Sequence, residues 1–370
     1  MEVKMRDNWQ NKYSKLTEFV SRQSGITITE NLVSIPNSIR ADFYSRFDDV
    51  RRTFIEQSLP VLLEQATELS KHVTQVKLTA MQQVELESIT FPDRLDKFIE
   101  EPLDFLTRDI FDPLFDLMKE KIDIGTFSEI ACNNIYNTFM ELYPRGYEKW
   151  VELALLLSFK ADRFYQFAEQ EVSLYDEHRA AGVVREEVAV PKESVTMMFR
   201  DRPDTAFMVP DYVIHSSLLD KYVSLRGDIN QPLANAVDAC TDREWLALDT
   251  LANVWPSFDF KGLTMLYLAT DAQAISLVAD KKRLCRPDIV IKCQAFEDWQ
   301  VGDALDEIKR QHEALKPILG TFVISRHNIE STDWKKTSEA IDSNIHFVES
   351  PFVHENLNPI VQACRDTVNE

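Results

Sequence analysis

Five polar residues in the last third of the chain have the types that bind metals or move protons: Asp271, Glu297, His327, Glu349 and His354. Each follows closely on a short apolar run that reads as a strand. In open parallel sheets, ligands bind in the crevice beyond the carboxyl ends of the strands. Carboxylates and imidazoles gathered there could hold a divalent metal or exchange a proton with a substrate. Loops and helix caps ordinarily carry the same residue types, so the spacing alone names no chemistry. His346 falls inside a strand and reads as a packed histidine. The HE pairs at 312–313 and 354–355 do not extend to HExxH, because Lys316 and Asn358 stand where the second histidine belongs.

A second pattern concerns phosphodiester chemistry. Pro210-Asp211 on one strand, with Tyr222–Arg226 as its hairpin partner, resembles the core of the metal-dependent nucleases with a PD…(D/E)xK signature. In that resemblance Asp211 is the metal-binding carboxylate. The partner carboxylate and lysine are replaced by Ser224 and Arg226, so the implied metal site is incomplete. Pro287-Asp288 followed by Glu307-Ile308-Lys309 matches the signature literally. There Glu307 falls inside an amphipathic helix with Leu305, Ile308, His312 and Leu315, so two strands would not bring the carboxylates together.

Other chemistries are excluded more firmly. The chain has eight glycines in 370 residues, and no two lie within ten positions of each other. GxGxxG, the Walker A loop and GxSxG each need closely spaced glycines, and all are absent. Glu-x-x-His, used by di-iron bundles, is also absent. Five cysteines form no CxxC pair, which points to a reducing compartment and away from zinc. Cys285 and Cys293 flank a strand and read as packing residues. The phenylalanines and aspartates of 91–122 lack the spacing of a calcium loop and read as amphipathic helices with solvated acidic faces.

With 41 basic and 61 acidic residues the net charge is −20. The excess is even: residues 1–185 carry 22 basic and 31 acidic residues, and residues 186–370 carry 19 and 30. Nucleic-acid affinity rests on neutralised phosphates, so this balance argues against it. The best local basic group, Lys281, Lys282, Arg283 and Arg286, reads as cations at a helix C-terminus. The N-terminus is too polar for a secretory signal, and the apolar run Trp150–Phe159, broken by Glu152, is too short to span a membrane.

These residues need elements to position them. Asp7 is placed to cap a helix with Trp9, Tyr13, Leu16 and Val20 on its inward face. Residues 27–35 read as extended, and Pro36 opens a short helix. The spacing over Val50–Val76 predicts a long helix that Pro60 kinks or restarts. Further helices are expected from Phe127 to Leu142 and, after a Pro144–Gly146 turn, from Tyr147 to about His178. The stretch Val151–Phe159 is apolar on nearly every side and should run through the middle of a bundle.

After Arg179–Ser194 the pattern changes. Ser194–Arg200, Phe207–His215 and Tyr222–Arg226 read as an antiparallel meander, followed by a helix over Gln231–Val254. Strands Leu263–Ala269, Asp288–Cys293, Thr321–Ser325 and Ile345–Val348 then alternate with helices Ala272–Leu284, Val301–Leu315, Trp334–Ile341 and Leu357–Val368. That alternation predicts a mainly parallel sheet covered on both faces.

The expected architecture is therefore α plus α/β: a helical bundle over 1–185, then an α/β domain over 186–370. The expected function is that of a soluble, cytoplasmic, non-catalytic interaction or regulatory protein. Its acidic helical domain would be joined to a docking or ligand-binding domain, with a protein partner or a second copy as its target and no cofactor. The alternative is a metal-dependent enzyme acting on a phosphorylated or nucleic-acid substrate at the strand-end crevice, with a divalent metal as cofactor.

Overall fold

Asn8, rather than Asp7, caps the first helix, its side-chain oxygen accepting the Asn11 N–H at 2.8 Å; Asp7 lies outside the described residues. A computed structural model describes residues 8–30, 32–175, 183–199, 211–227, 244–254, 262–270, 283–300, 303–327 and 344–366. Two compact units divide the chain: residues 1–74 with 93–146, and residues 75–92 with 147–370.

The first unit is helical. Helix α1 (Trp9–Arg22) and the hairpin β1 (Thr27–Thr29) and β2 (Leu32–Ser34) precede α2 (Asn37–Ser58). Pro60 restarts the chain as α3 (Pro60–Val84), as its missing N–H predicts. Between α3 and the next helices lies β3 (Ser88–Thr90), which belongs to the second unit.

The phenylalanine-rich stretch folds as α4 (Asp93–Glu100), α5 (Pro102–Leu106), a 3-10 turn and α6 (Phe111–Met118). Its rings meet those of α2: Phe47 lies 4.6 Å from Phe115 and 5.5 Å from Phe111 between centroids. Arg51 lies over both Phe47 and Phe111 and donates to the Thr107 carbonyl at 2.8 Å. Asp104 pairs with Arg52, while burial raises the carboxyl of Asp109 above the ordinary aspartate value.

A single helix, α7 (Ile124–Ser158), replaces the two expected across Pro144–Gly146. Proline removes one ladder hydrogen bond but does not end the helix, because packing outweighs that loss. Gly146 serves close approach here: a Cβ on it would lie 2.7 Å from Leu69 Cδ2 of α3.

The second unit is built on an eight-stranded sheet. Helix α7 stops at Ser158, and Lys160, in the left-handed region, turns the chain into β4 (Ala161–Tyr175). Residues 161–175, expected to continue the helix to about His178, are instead a strand paired with β5 (Val183–Glu193). Long-range pairing here overrides a local sequence rich in Ala, Glu and Gln.

Next come β6 (Thr196–Met198), which pairs in parallel with β3, then β7 (Tyr212–Ser216) and β8 (Lys221–Arg226). Strand β9 (Trp245–Ala247) and helix α8 (Leu248–Val254) precede β10 (Leu263–Ala269). The remainder is β11 (Arg283–Cys285), β12 (Ile289–Gln294), α9 (Ala304–Leu315), β13 (Gly320–Ser325), β14 (Ile345–Glu349) and α10 (Asn358–Asp366).

The order in the main sheet is β14-β13-β12-β10-β8-β7-β4-β5. Only β12–β13 and β13–β14 are parallel; every other pair is antiparallel, so the sheet is mostly antiparallel and not mainly parallel as expected. The strand positions of the alternating region are close to expectation, but β10 runs against both neighbours. Alternation of apolar runs fixes where strands lie and not the direction in which the chain re-enters the sheet. Between β12 and β13, the crossover through α9 gives the parallel pair that the βαβ pattern predicts.

Arg283 lies in β11 and Arg286 pairs with Glu244, so neither sits at a helix C-terminus as expected. Lys281 and Lys282 lie outside the described residues, as do most of the expected helix Ala272–Leu284 and all of Trp334–Ile341.

Gly320 opens β13 with φ +110°, and a Cβ there would sit 2.5 Å from the Asn344 carbonyl oxygen. Gly320→Ala is expected to destabilise the chain by about 1–3 kcal/mol. Urea unfolding of the variant beside the wild type measures the change.

Candidate functional site

The carboxyl ends of the parallel strands do lie side by side: Gln294 is opposite Ser325, and Ser325 is opposite Glu349. At that same edge β8 ends, opposite Met265, at Arg226, and β10 begins, opposite Lys292, at Leu263; β7 begins at Tyr212, opposite Leu225. One margin of the sheet therefore collects residues from six strands.

Ser325 organises the β13 end. Its hydroxyl accepts from Trp299 Nε1 at 3.0 Å and donates to the His327 carbonyl at 2.8 Å. His327 Nε2 lies 3.2 Å from Arg326 Nη1, and the Arg326 guanidinium lies over the Phe352 ring. Phe352, at φ +60°, packs edge-on against Tyr147 and Trp150 of α7. The Tyr147 hydroxyl donates to the Ser350 carbonyl at 2.9 Å, and Ser158 donates to the His354 carbonyl at 3.0 Å.

His354 Nδ1 sits 3.3 Å from Glu355, turned towards its neighbour in a 3-10 turn. Glu349 is half-buried at the end of β14, Glu297 is exposed, and Asp271 lies outside the described residues. Among the described residues no three His, Cys, Asp or Glu side chains group to hold a metal ion. Of these residues, Glu349 stands at the end of β14 on this margin, and His354 and His327 engage neighbours in their own turns.

A different set of charges is buried beside them. Every residue of α7 from Trp150 to Ser158 is buried, Glu152 included, with 2% of its side chain exposed. A lone carboxylate there would carry a desolvation penalty of several kcal/mol. Lys149, one turn earlier, places Nζ 2.7 Å from Glu152 Oε1 and lies over the Phe199 ring. Gly227 leaves room for the carboxylate: a Cβ on it would stand 2.8 Å from Glu152 Oε1.

Asp211 completes the group from the start of β7. Its Oδ2 accepts the Gly227 N–H at 2.8 Å, and its Oδ1 lies 3.5 Å from Arg226 Nη1. Glu148 and Lys292 both reach the vacant side of Gly262, where a Cβ would lie 2.9 Å from Glu148 Oε1 and 3.3 Å from Lys292 Nζ.

The fields of these groups are mutual. Burial disfavours the Lys149 ammonium, but Glu152 and Asp211 more than offset it and hold its pKa above the ordinary lysine value. Burial, reinforced by Glu152 and Asp211, pushes the Tyr212 phenol well up. Desolvation, then Glu148 and Glu152, raises the Cys293 thiol well above its usual value, so it stays protonated and a poor nucleophile at neutral pH. Cys364, pushed up to about 12 by burial and Asp288, is inert for the same reason.

Asp211 and Arg226 were visible in the sequence through the nuclease-like hairpin; Glu148, Lys149 and Lys292 were not. The available signal for the rest was Glu152, a carboxylate inside an apolar helical run. Comparison with family models, curated proteins and solved structures finds no match to the chain.

Lys149→Met leaves Glu152 buried without its ammonium and is expected to cost about 3–5 kcal/mol. Lys149→Met combined with Glu152→Leu should recover most of that loss, because the uncompensated charge is removed as well. Chemical denaturation of the two variants tests the pairing.

Proposed function

We propose that the chain is a non-catalytic binding protein whose strand-rich unit presents the carboxyl margin of β12, β13 and β14 to a protein partner or small ligand. The observation that carries this reading is the internal neutralisation of the buried carboxylates. Glu152 is paired with Lys149; Asp211 meets Arg226 and a backbone N–H; Glu148 converges with Lys292 on Gly262. A divalent cation binds carboxylate lone pairs, and here it would have to displace protein cations already holding them. Such a cluster suits a rigid platform, with Arg326, His327 and Glu349 forming the accessible polar margin above it.

The alternative, a metal-dependent enzyme acting on a phosphorylated or nucleic-acid substrate, draws support from one placement. Glu148 and Lys292 stand together at the strand margin where such a site would lie, and Asp211 stands nearby in the same buried charge network.

The deciding experiment combines light scattering on the full chain with assays on plasmid DNA and p-nitrophenyl phosphate in Mg²⁺ and in Mn²⁺. The binding reading expects a dimer or a co-purifying partner, with no metal-dependent turnover. A partnerless monomer whose metal-dependent hydrolysis is abolished by Asp211→Asn or Glu148→Gln overturns it in favour of the enzyme.

A further inference from the structure

At the opposite end of β7, two backbone irregularities each bring a carboxylate to one nitrogen of the same imidazole. The first is a β-bulge in β4. Ala161 pairs with Ser216 and Arg163 with His215, so Asp162 is the extra residue and has no partner across the ladder. Bulges re-aim side chains, and here Asp162 Oδ1 comes within 2.6 Å of His215 Nδ1. The second is the turn between β7 and β8. Asp220 takes φ +50°, and its Oδ1 lies 3.6 Å from His215 Nε2.

His215 itself is nearly buried, and its ring packs 5.0 Å from that of Tyr222 on β8. Arg163 stands directly across from His215 on β4. Arg163 lies over the Tyr222 ring and only 3.9 Å from Asp162, with Tyr165 and Glu193 beyond it. Lys221 follows Asp220 and pairs with Ser216 on the ladder, and the Lys160 carbonyl accepts from Ser217 in the turn.

We propose that His215 is a proton-operated latch that fastens the β7–β8 turn to β4. A neutral imidazole has one N–H. Donated to Asp162, it leaves the Nε2 lone pair facing the Asp220 carboxylate, two acceptors with nothing to share. An imidazolium donates from both nitrogens and closes both contacts with charge-assisted hydrogen bonds. The sign follows: gaining the ring proton closes the latch and losing it, as pH rises, opens it. The proton is taken from solvent, and no other group changes its bonding.

Amide hydrogen exchange of the full chain, corrected for intrinsic rates, tests the latch at about pH 5.5 and about pH 7.5. Because Asp220 is exposed, the gain is modest: protection of the amides from Ser216 to Tyr222 is expected to be about two- to fivefold higher at the lower pH. Asp220→Asn should level the two pH values, since an amide can donate to a neutral ring or accept from a charged one. His215→Gln should do the same. Asp220→Asn alters only an exposed side chain, so it decides the matter if the His215 variant fails to fold. Equal wild-type protection at both pH values, or an Asp220→Asn variant that keeps the full pH dependence, overturns the proposal.

Discussion

The carboxylate of Glu152 sets the terms for the strand-rich unit. It occupies the middle of a helical segment in which nine consecutive residues, Trp150 to Ser158, are removed from solvent. An ion there persists only with close compensation, and the surroundings are arranged to supply it. Lys149 must precede it by three residues on the same helical face, and position 227 must lack a side chain. Tyr212 must present its phenol from the start of β7. The constraint therefore reaches from one helix into two strands, and it selects residue types that the apolar packing by itself would not.

That arrangement crowds one sheet margin with ionisable groups that set one another's charge states. Raised thiol and phenol pKa values keep Cys293 and Tyr212 protonated, and the local cations are shared among carboxylates. Glu152 is held by Lys149, and Asp211 by Arg226 and the Gly227 N–H, so these carboxylates have fixed positions at the margin. Rigidity of this kind suits recognition, where freezing fewer side chains on binding leaves more of the contact energy for affinity.

Much of the fold was legible in the sequence, and the limits have physical causes. Helix α3 beginning at Pro60 and the strand at Leu263–Ala269 follow from proline stereochemistry and apolar runs. The direction of β10 did not follow, because strand polarity depends on how the chain returns and not on which residues it carries. The continuity of α7 through Pro144 did not follow either, because a local penalty was outweighed by packing visible only in three dimensions. At the site, the sequence located the margin of the sheet through strand ends. It missed the Lys149–Glu152 pair because an i,i+3 charge pair reads as surface decoration until burial is known.

The bulge at Asp162 has a consequence for how β4 is written. A strand shows its faces by strict alternation, so its residues fall into two frames, odd and even. An inserted residue shifts the frame: Ala161 and Arg163 are two positions apart on β4 yet face consecutive positions, Ser216 and His215, on β7. No single alternating pattern describes the strand on both sides of that point. Natural variation that added or removed one residue here would exchange the inward and outward faces of everything beyond it. Length, more than residue type, is what this segment must conserve.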